Sequence, residues 1–196
     1  MYTINLLTHF NTNIIIIIIN RVLRYWNNSY ANAINGSDGS KYPPNIKKDQ
    51  ILYFFNPDLC RSSSLEYLKE NDIEGVKTYD FHLSPNIFSN NETLNPLYKG
   101  FCPKDDCLGT GVQSIRECRD GLPMFISLPH FLNADEKFNK SVIGLNPDSD
   151  KHDYIVSLEP MTGTTIKSNI RIQFNYHLKK NKEYKLNIHL NILYLF

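Results

Sequence analysis

The placement of cysteine constrains this chain more than any other feature. Three of its four cysteines, Cys102, Cys107 and Cys118, fall in the stretch from Phe101 to Phe131, FCPKDDCLGTGVQSIRECRDGLPMFISLPHF, and the fourth, Cys60, stands well upstream. Three glycines and three prolines in the same stretch surround two short apolar runs, the pattern of a folded, cross-linked loop. A zinc site usually shows two close pairs of ligands, whereas here only Cys102 and Cys107 are close, so zinc is the lesser reading. An even number of cysteines in a loop-rich setting favours two bridges and an oxidising compartment, although spacing leaves all three connectivities open.

The 196 residues suffice for one domain with a substantial core. Apolar residues make up 41% and charged residues 21%, a globular balance. A net charge of +1 gives no electrostatic case for a nucleic-acid partner or an anionic membrane surface. Asn-x-Ser/Thr occurs at Asn27, Asn35, Asn91 and Asn139. In a chain this rich in Asn, chance alone supplies about 2.7 such triplets, so the count by itself proves little. Asn91 is the best placed, because the Asn-rich text from Ser84 to Asn95 reads as a surface loop.

Along the chain, the six isoleucines Ile14 to Ile19 form too short an apolar run to span a bilayer and lack the flanks of a secretory signal. They read as a buried strand or an extraneous tail. Asn35-Gly36-Ser37-Asp38-Gly39 and Pro43-Pro44 mark a turn-rich loop. Ile51 to Phe55 suits a buried strand, and Val76 to Leu83 alternates like a half-buried one, with Tyr79, Phe81 and Leu83 inward. A short helix is expected within Leu132 to Lys140, then a hairpin of Tyr154 to Leu158 with Thr165 to Leu178. Within the latter, Ile170, Ile172, Phe174, Tyr176 and Leu178 keep strict period two, which places them on one face of a strand. The expected class is mainly β with short helices.

Candidate chemistry is sparse. Asp148, Asp150, His152 and Glu159 sit at calcium-loop spacing, but Asp153 stands where that loop needs glycine, so a solvated acidic turn is the better reading. His130, between Pro129 and Phe131, could serve Cys–His chemistry only beside an unpaired thiol, and a structural role fits better. No P-loop, dinucleotide fingerprint or carboxylate pair occurs, so neither a catalytic residue nor a cofactor nor a metal site is expected.

A series of motifs follows in order: Ile34-Asn35-Gly36-Ser37-Asp38-Gly39, Tyr42-Pro43-Pro44, Asp58-Leu59-Cys60-Arg61-Ser62, Gly100-Phe101-Cys102 and Cys107-Leu108-Gly109-Thr110-Gly111-Val112. Cys118, Leu128-Pro129-His130-Phe131-Leu132-Asn133-Ala134-Asp135, Gly144-Leu145-Asn146-Pro147, His152 and Leu158-Glu159-Pro160-Met161-Thr162-Gly163 continue it. Together they resemble the class B scavenger receptor family, which includes the fatty-acid translocase, the high-density-lipoprotein receptor and the lysosomal integral membrane protein type 2.

The resemblance covers roughly residues 25–180 and implies a partial, disulfide-bonded ectodomain, with residues 1–20 and 181–196 as tails foreign to the family. It implies part of an irregular antiparallel β-barrel pierced by a lipid tunnel, lumenal or extracellular at the plasma membrane or lysosome. The receptor would be anchored by flanking helices that this chain lacks. It implies lipid or lipoprotein ligands, among them fatty acids, cholesterol and phospholipid, and no enzyme activity. The expected pairing is Cys60 with Cys118 and Cys102 with Cys107. Some members carry an extra pair of cysteines at the positions of Ala31 and Gly100. On this reading Ile170 to Leu178 supply barrel or tunnel wall. The rivals are a lysosomal receptor that sorts a lumenal enzyme and, from another class, a secreted disulfide-bonded hydrolase.

Overall fold

The computed structural model describes residues 4–7 and 16–19 as backbone, and residues 22–91, 93–95, 98–102 and 107–177. β1 (Ile4–Leu7) and β2 (Ile16–Ile19) pair antiparallel as a two-stranded sheet of their own. The main sheet holds five strands: β3 (Leu52–Asn56), β4 (Arg61–Ile73), β5 (Val76–Leu83), β8 (Ile155–Glu159) and β9 (Thr164–Asn169), in the order β3-β4-β5-β8-β9. A second sheet takes β6 (Gln113–Ser114), β7 (Met124–Ser127) and β10 (Gln173–Tyr176), with β7 central. Every pairing between these strands is antiparallel. Three one-turn helices, α1 (Tyr98–Phe101), α2 (Glu136–Asn139) and α3 (Ser149–His152), complete a mainly β chain, as the sequence leads one to expect.

The main sheet curls into a half-barrel whose two edges are approached by one segment. Ser37 bridges Phe54 on β3, and Lys41 bridges Thr164 on β9. Two glycines make this approach possible. At Gly36, with φ +83°, a Cβ would lie 1.8 Å from the Tyr53 carbonyl oxygen, and at Gly163, with φ +74°, 2.1 Å from that of Tyr42. Only a residue without a Cβ lets the backbones come so near. The Glu159 carboxylate folds the turn before Gly163 by accepting from the Met161 and Thr162 amides at 3.0 and 2.7 Å. The Thr162 hydroxyl, which donates to it at 2.6 Å, and then these amides hold its pKa below the ordinary range.

Inside the curl lies the main core, with Leu52, Leu65, Phe81, Ile126, Val156 and Leu158 all nearly inaccessible. A satellite core packs Leu23, Trp26, Ala31, Cys60 and Phe101. Trp26 meets Phe101 edge to face at 4.9 Å and donates its indole N–H to the Cys60 carbonyl at 2.7 Å.

Several local expectations are corrected. β4, the longest strand, opens on Arg61-Ser62-Ser63-Ser64 and ends among charges, so its composition hides it. Its partnership with β5 is set by Glu74 and Gly75, both at positive φ (53° and 85°), in a two-residue turn between the paired Ile73 and Val76. β5 is covered on both faces: Thr78 and Asp80 are buried along with Phe81. Asp80 tolerates burial because its carboxylate accepts from Ser157 at 2.6 Å and Asn71 at 3.0 Å. The helix expected within Leu132 to Lys140 shrinks to α2, since Asn133 takes φ 59° and cannot lie in a helix. The expected strand from Thr165 to Leu178 breaks at Ile170 to Ile172, where the chain leaves the main sheet for the second one.

Candidate functional site

β3 is an edge strand, and its outer face is apolar where water would favour polar groups. Leu52 and Phe54 point into the core at 2% and 5% exposure, while Ile51 and Tyr53 stand 51% and 44% exposed. The run from Ile51 to Phe55, expected to be buried, is therefore buried on one face alone. The segment Asn35–Ser37 and Lys41–Pro43 crosses beside it, and the loop of Ser84, Asn86, Ile87, Leu94 and Asn95 faces it. Between them opens a cavity of about 1100 Å³, continued by Ser64 and Glu66 of β4. Asn95 ties the loop down by donating to the Ile87 carbonyl at 2.8 Å. Leu94, 54% exposed, completes an apolar mouth with Ile51 and Tyr53. Lys41 is the cation among the lining residues and Glu66 the anion, the latter accepting the hydroxyl of Ser84. Tyr42 lies in the wall, and burial raises its phenol pKa far above the ordinary value.

The structure bonds Cys60 to Cys118, with Cα atoms 6.0 Å apart, and Cys102 to Cys107, 5.3 Å apart. Asn27, Asn35 and Asn91 are exposed, and Asn35 lies on the cavity rim. The Asn91 side chain accepts from the Thr93 amide at 2.9 Å. Asn139 is half-buried in α2, its Oδ1 enclosed without a hydrogen-bond partner. Of the alternating run, Ile170 and Tyr176 are exposed, Ile172 and Phe174 pack against the main core, and Leu178 lies outside the described residues. Gln173 between them is buried, accepting the His130 amide N–H at 3.0 Å. Asp148 caps α3 by accepting from the Asp150 amide at 3.0 Å. Among the described residues no group of three or more His, Cys, Asp or Glu is placed to hold a metal ion.

The central stretch is held to its partner motif by close backbone contact. Gly111 has Ala134 so near that a Cβ would sit 2.2 Å from its Cα, and Thr110 and Asp135 exchange hydrogen bonds at 3.1 and 3.0 Å. Arg61 is fully buried behind it, with its guanidinium 3.9 Å from the Phe101 ring centroid and a hydrogen bond to Gln113. Burial pulls its pKa down to about 9, so it stays charged at neutral pH.

The family model described as the CD36 family matches residues 5–194. The chain belongs to the CD36 family. Scavenger receptor class B member 1 of Cricetulus griseus is 36% identical over 160 residues, which cover 82% of this chain and 31% of that protein. Lysosome membrane protein 2 is 35% identical over 159 residues in both Mus musculus and Homo sapiens, covering 81% of this chain and 32% of theirs. This CD36-family chain thus spans about a third of the length of the curated relatives it matches. The class B scavenger receptor resemblance of its motifs is borne out. The relatives bear the names of receptors and membrane proteins, not of enzymes. No helix among the described residues is long and apolar enough to cross a membrane.

The cavity lining was missed by sequence reasoning, although one signal was present. Ile51 to Phe55 is apolar at every position, and an edge strand that is apolar on its outer face marks a binding surface.

Proposed function

We propose that this chain is the part of a class B scavenger receptor ectodomain that binds the acyl chain of a lipid, and that its cavity beside β3 is the site. The observation that carries the reading is the cavity's make-up: apolar Ile51, Leu52, Tyr53, Ile87 and Leu94 line one space with Lys41, the one cation among its described lining residues. Such a space takes an amphiphile, with its chain against the aliphatic and aromatic wall and an anionic headgroup near the ammonium. Ile172 and Phe174, packed on the main core, serve the half-barrel as wall packing. The two disulfides and the membrane-protein names of the relatives support a lumenal or extracellular place, at the plasma membrane or lysosome. The role is binding and transfer, not catalysis.

The test is titration of the oxidised chain with a fluorescent fatty acid. Ile51→Glu places a charge at the apolar mouth on an exposed position, so affinity should fall about tenfold or more while the melting temperature holds. Lys41→Gln should weaken binding of the fatty-acid anion and leave a neutral monoacylglycerol unaffected. No binding by the folded chain, or equal affinity in the folded Ile51→Glu variant, would refute the site.

A further inference from the structure

Outside the lining of the cavity, two imidazoles separated in sequence lie face to face. The rings of His130 and His152 stack at 4.2 Å between centroids and 11° between planes. His130 belongs to the 3-10 turn Pro129–Phe131 that follows β7, and His152 ends α3. Each ring does the same work: Nδ1 of His130 accepts the Asn146 amide N–H at 3.0 Å, and Nδ1 of His152 accepts the Asp148 amide N–H at 3.0 Å. An amide can only donate, so both Nδ1 atoms are unprotonated and both rings are neutral with their proton on Nε2.

We propose that the His130–His152 stack is an acid-sensitive latch that fastens the Asn146–Asp148 loop to the turn after β7 at neutral pH and releases it on acidification. A proton that arrives on either Nδ1 turns the acceptor into a donor, and the amide facing it loses its partner. Two protons set like charges in stacked rings. Asn146 is exposed and Ile143 just before it fully so, whereas Asp148 is also held within α3, by its bond from the Asp150 amide at 3.0 Å and its ion pair with Lys151 at 2.8 Å. The turn it fastens is itself held in a costly conformation, with His130, Phe131 and Asn133 at φ 54°, 54° and 59°. Such backbone persists only where its surroundings fix it.

The charges around the stack are Asp148 and Lys151 on α3 and Arg171 before β10, with Asp153 engaged by His82 at 3.1 Å and by the Arg171 side chain through its carbonyl at 2.9 Å. Burial first, then His130, holds the His152 pKa below its ordinary value, with Lys151 and Arg171 adding to this and Asp148 opposing it. A histidine depressed in the folded state stabilises above its ordinary pKa of about 6.5, and that contribution is lost as pH falls. The latch is therefore closed at neutral pH and opens in acid, whatever the cavity carries.

Amide hydrogen exchange of the complete oxidised chain, corrected for intrinsic rates, reads the latch directly. Protection of the Asn146 and Asp148 amides should fall about tenfold or more between about pH 7.5 and about pH 5, while β4 and β5 keep theirs. His130→Asn and His152→Asn together keep an oxygen acceptor near each Nδ1 position and cannot titrate, so the dependence on pH should vanish. Should that variant fail to fold, nitrogen NMR of the wild-type rings decides, since proton arrival at Nδ1 of His152 must coincide with loss of amide protection. Wild-type protection that ignores pH, a folded double variant with the same fall, or Nδ1 protonation without loss of protection would each overturn the proposal.

Discussion

Glycines mark where backbone meets backbone in this chain, and they do so unequally. Gly36 faces the Tyr53 carbonyl with no room for a Cβ, whereas Gly75, at φ +85°, has nothing within 4 Å. Gly36→Ala should therefore cost about 3 kcal/mol or more, combining steric overlap with strain at positive φ. Gly75→Asn, which tolerates the same φ in open space, should change stability by less than about 1 kcal/mol. Chemical denaturation of the two variants checks this. A cost at Gly75 equal to that at Gly36 would contradict the claim that close approach, not conformation alone, selects glycine there. Such glycines were legible as turn residues in the sequence. Their partners were not, because Tyr53 and Tyr42 are supplied by other segments.

At the scale of elements, pairing depends on cross-links and turns more than on propensity. The Cys60–Cys118 bridge closes a separation of 58 residues and anchors the satellite core, while Cys102–Cys107 closes five. In the chain-entropy model the long loop contributes about 4 kcal/mol and the short one about 2. Replacing each pair by serine and measuring unfolding in urea should show the long bridge to matter more, and the reverse order would refute this ranking. A Cβ built on Gly100 would lie 2.4 Å from that of Ala31, so the two positions at which the resemblance implies an extra cysteine pair in some members are neighbours here. β3, as a continuous apolar run, and β5, by its alternation, were visible in sequence. β4 was not, because Ser62, Ser63 and Ser64 look like loop, although the first two are buried and the third half-buried. Ser62 earns its place by hydrogen bonds with the Asn35 amide and the Ala33 carbonyl.

For the whole molecule, the fold class and the family were legible because many short motifs kept their order, each tied to a turn, cap or bridge that only certain residues can make. The cavity was not legible, since it exists only where residues 35–53 meet the loop of residues 84–95 across the edge of β3. Periodicity reports which face of a strand is apolar and is silent on what comes to lie opposite. The stack of His130 on His152 escaped for the same reason. A lipid chain in the space beside β3 can be caught there by photo-cross-linking. A fatty acid carrying a diazirine in its chain, bound to the oxidised protein and activated, should label peptides containing Ile51 to Tyr53 and Ile87 to Leu94, with competition by unlabelled fatty acid. Labelling confined to other segments, or labelling that no competitor reduces, would rule out a lipid chain beside β3.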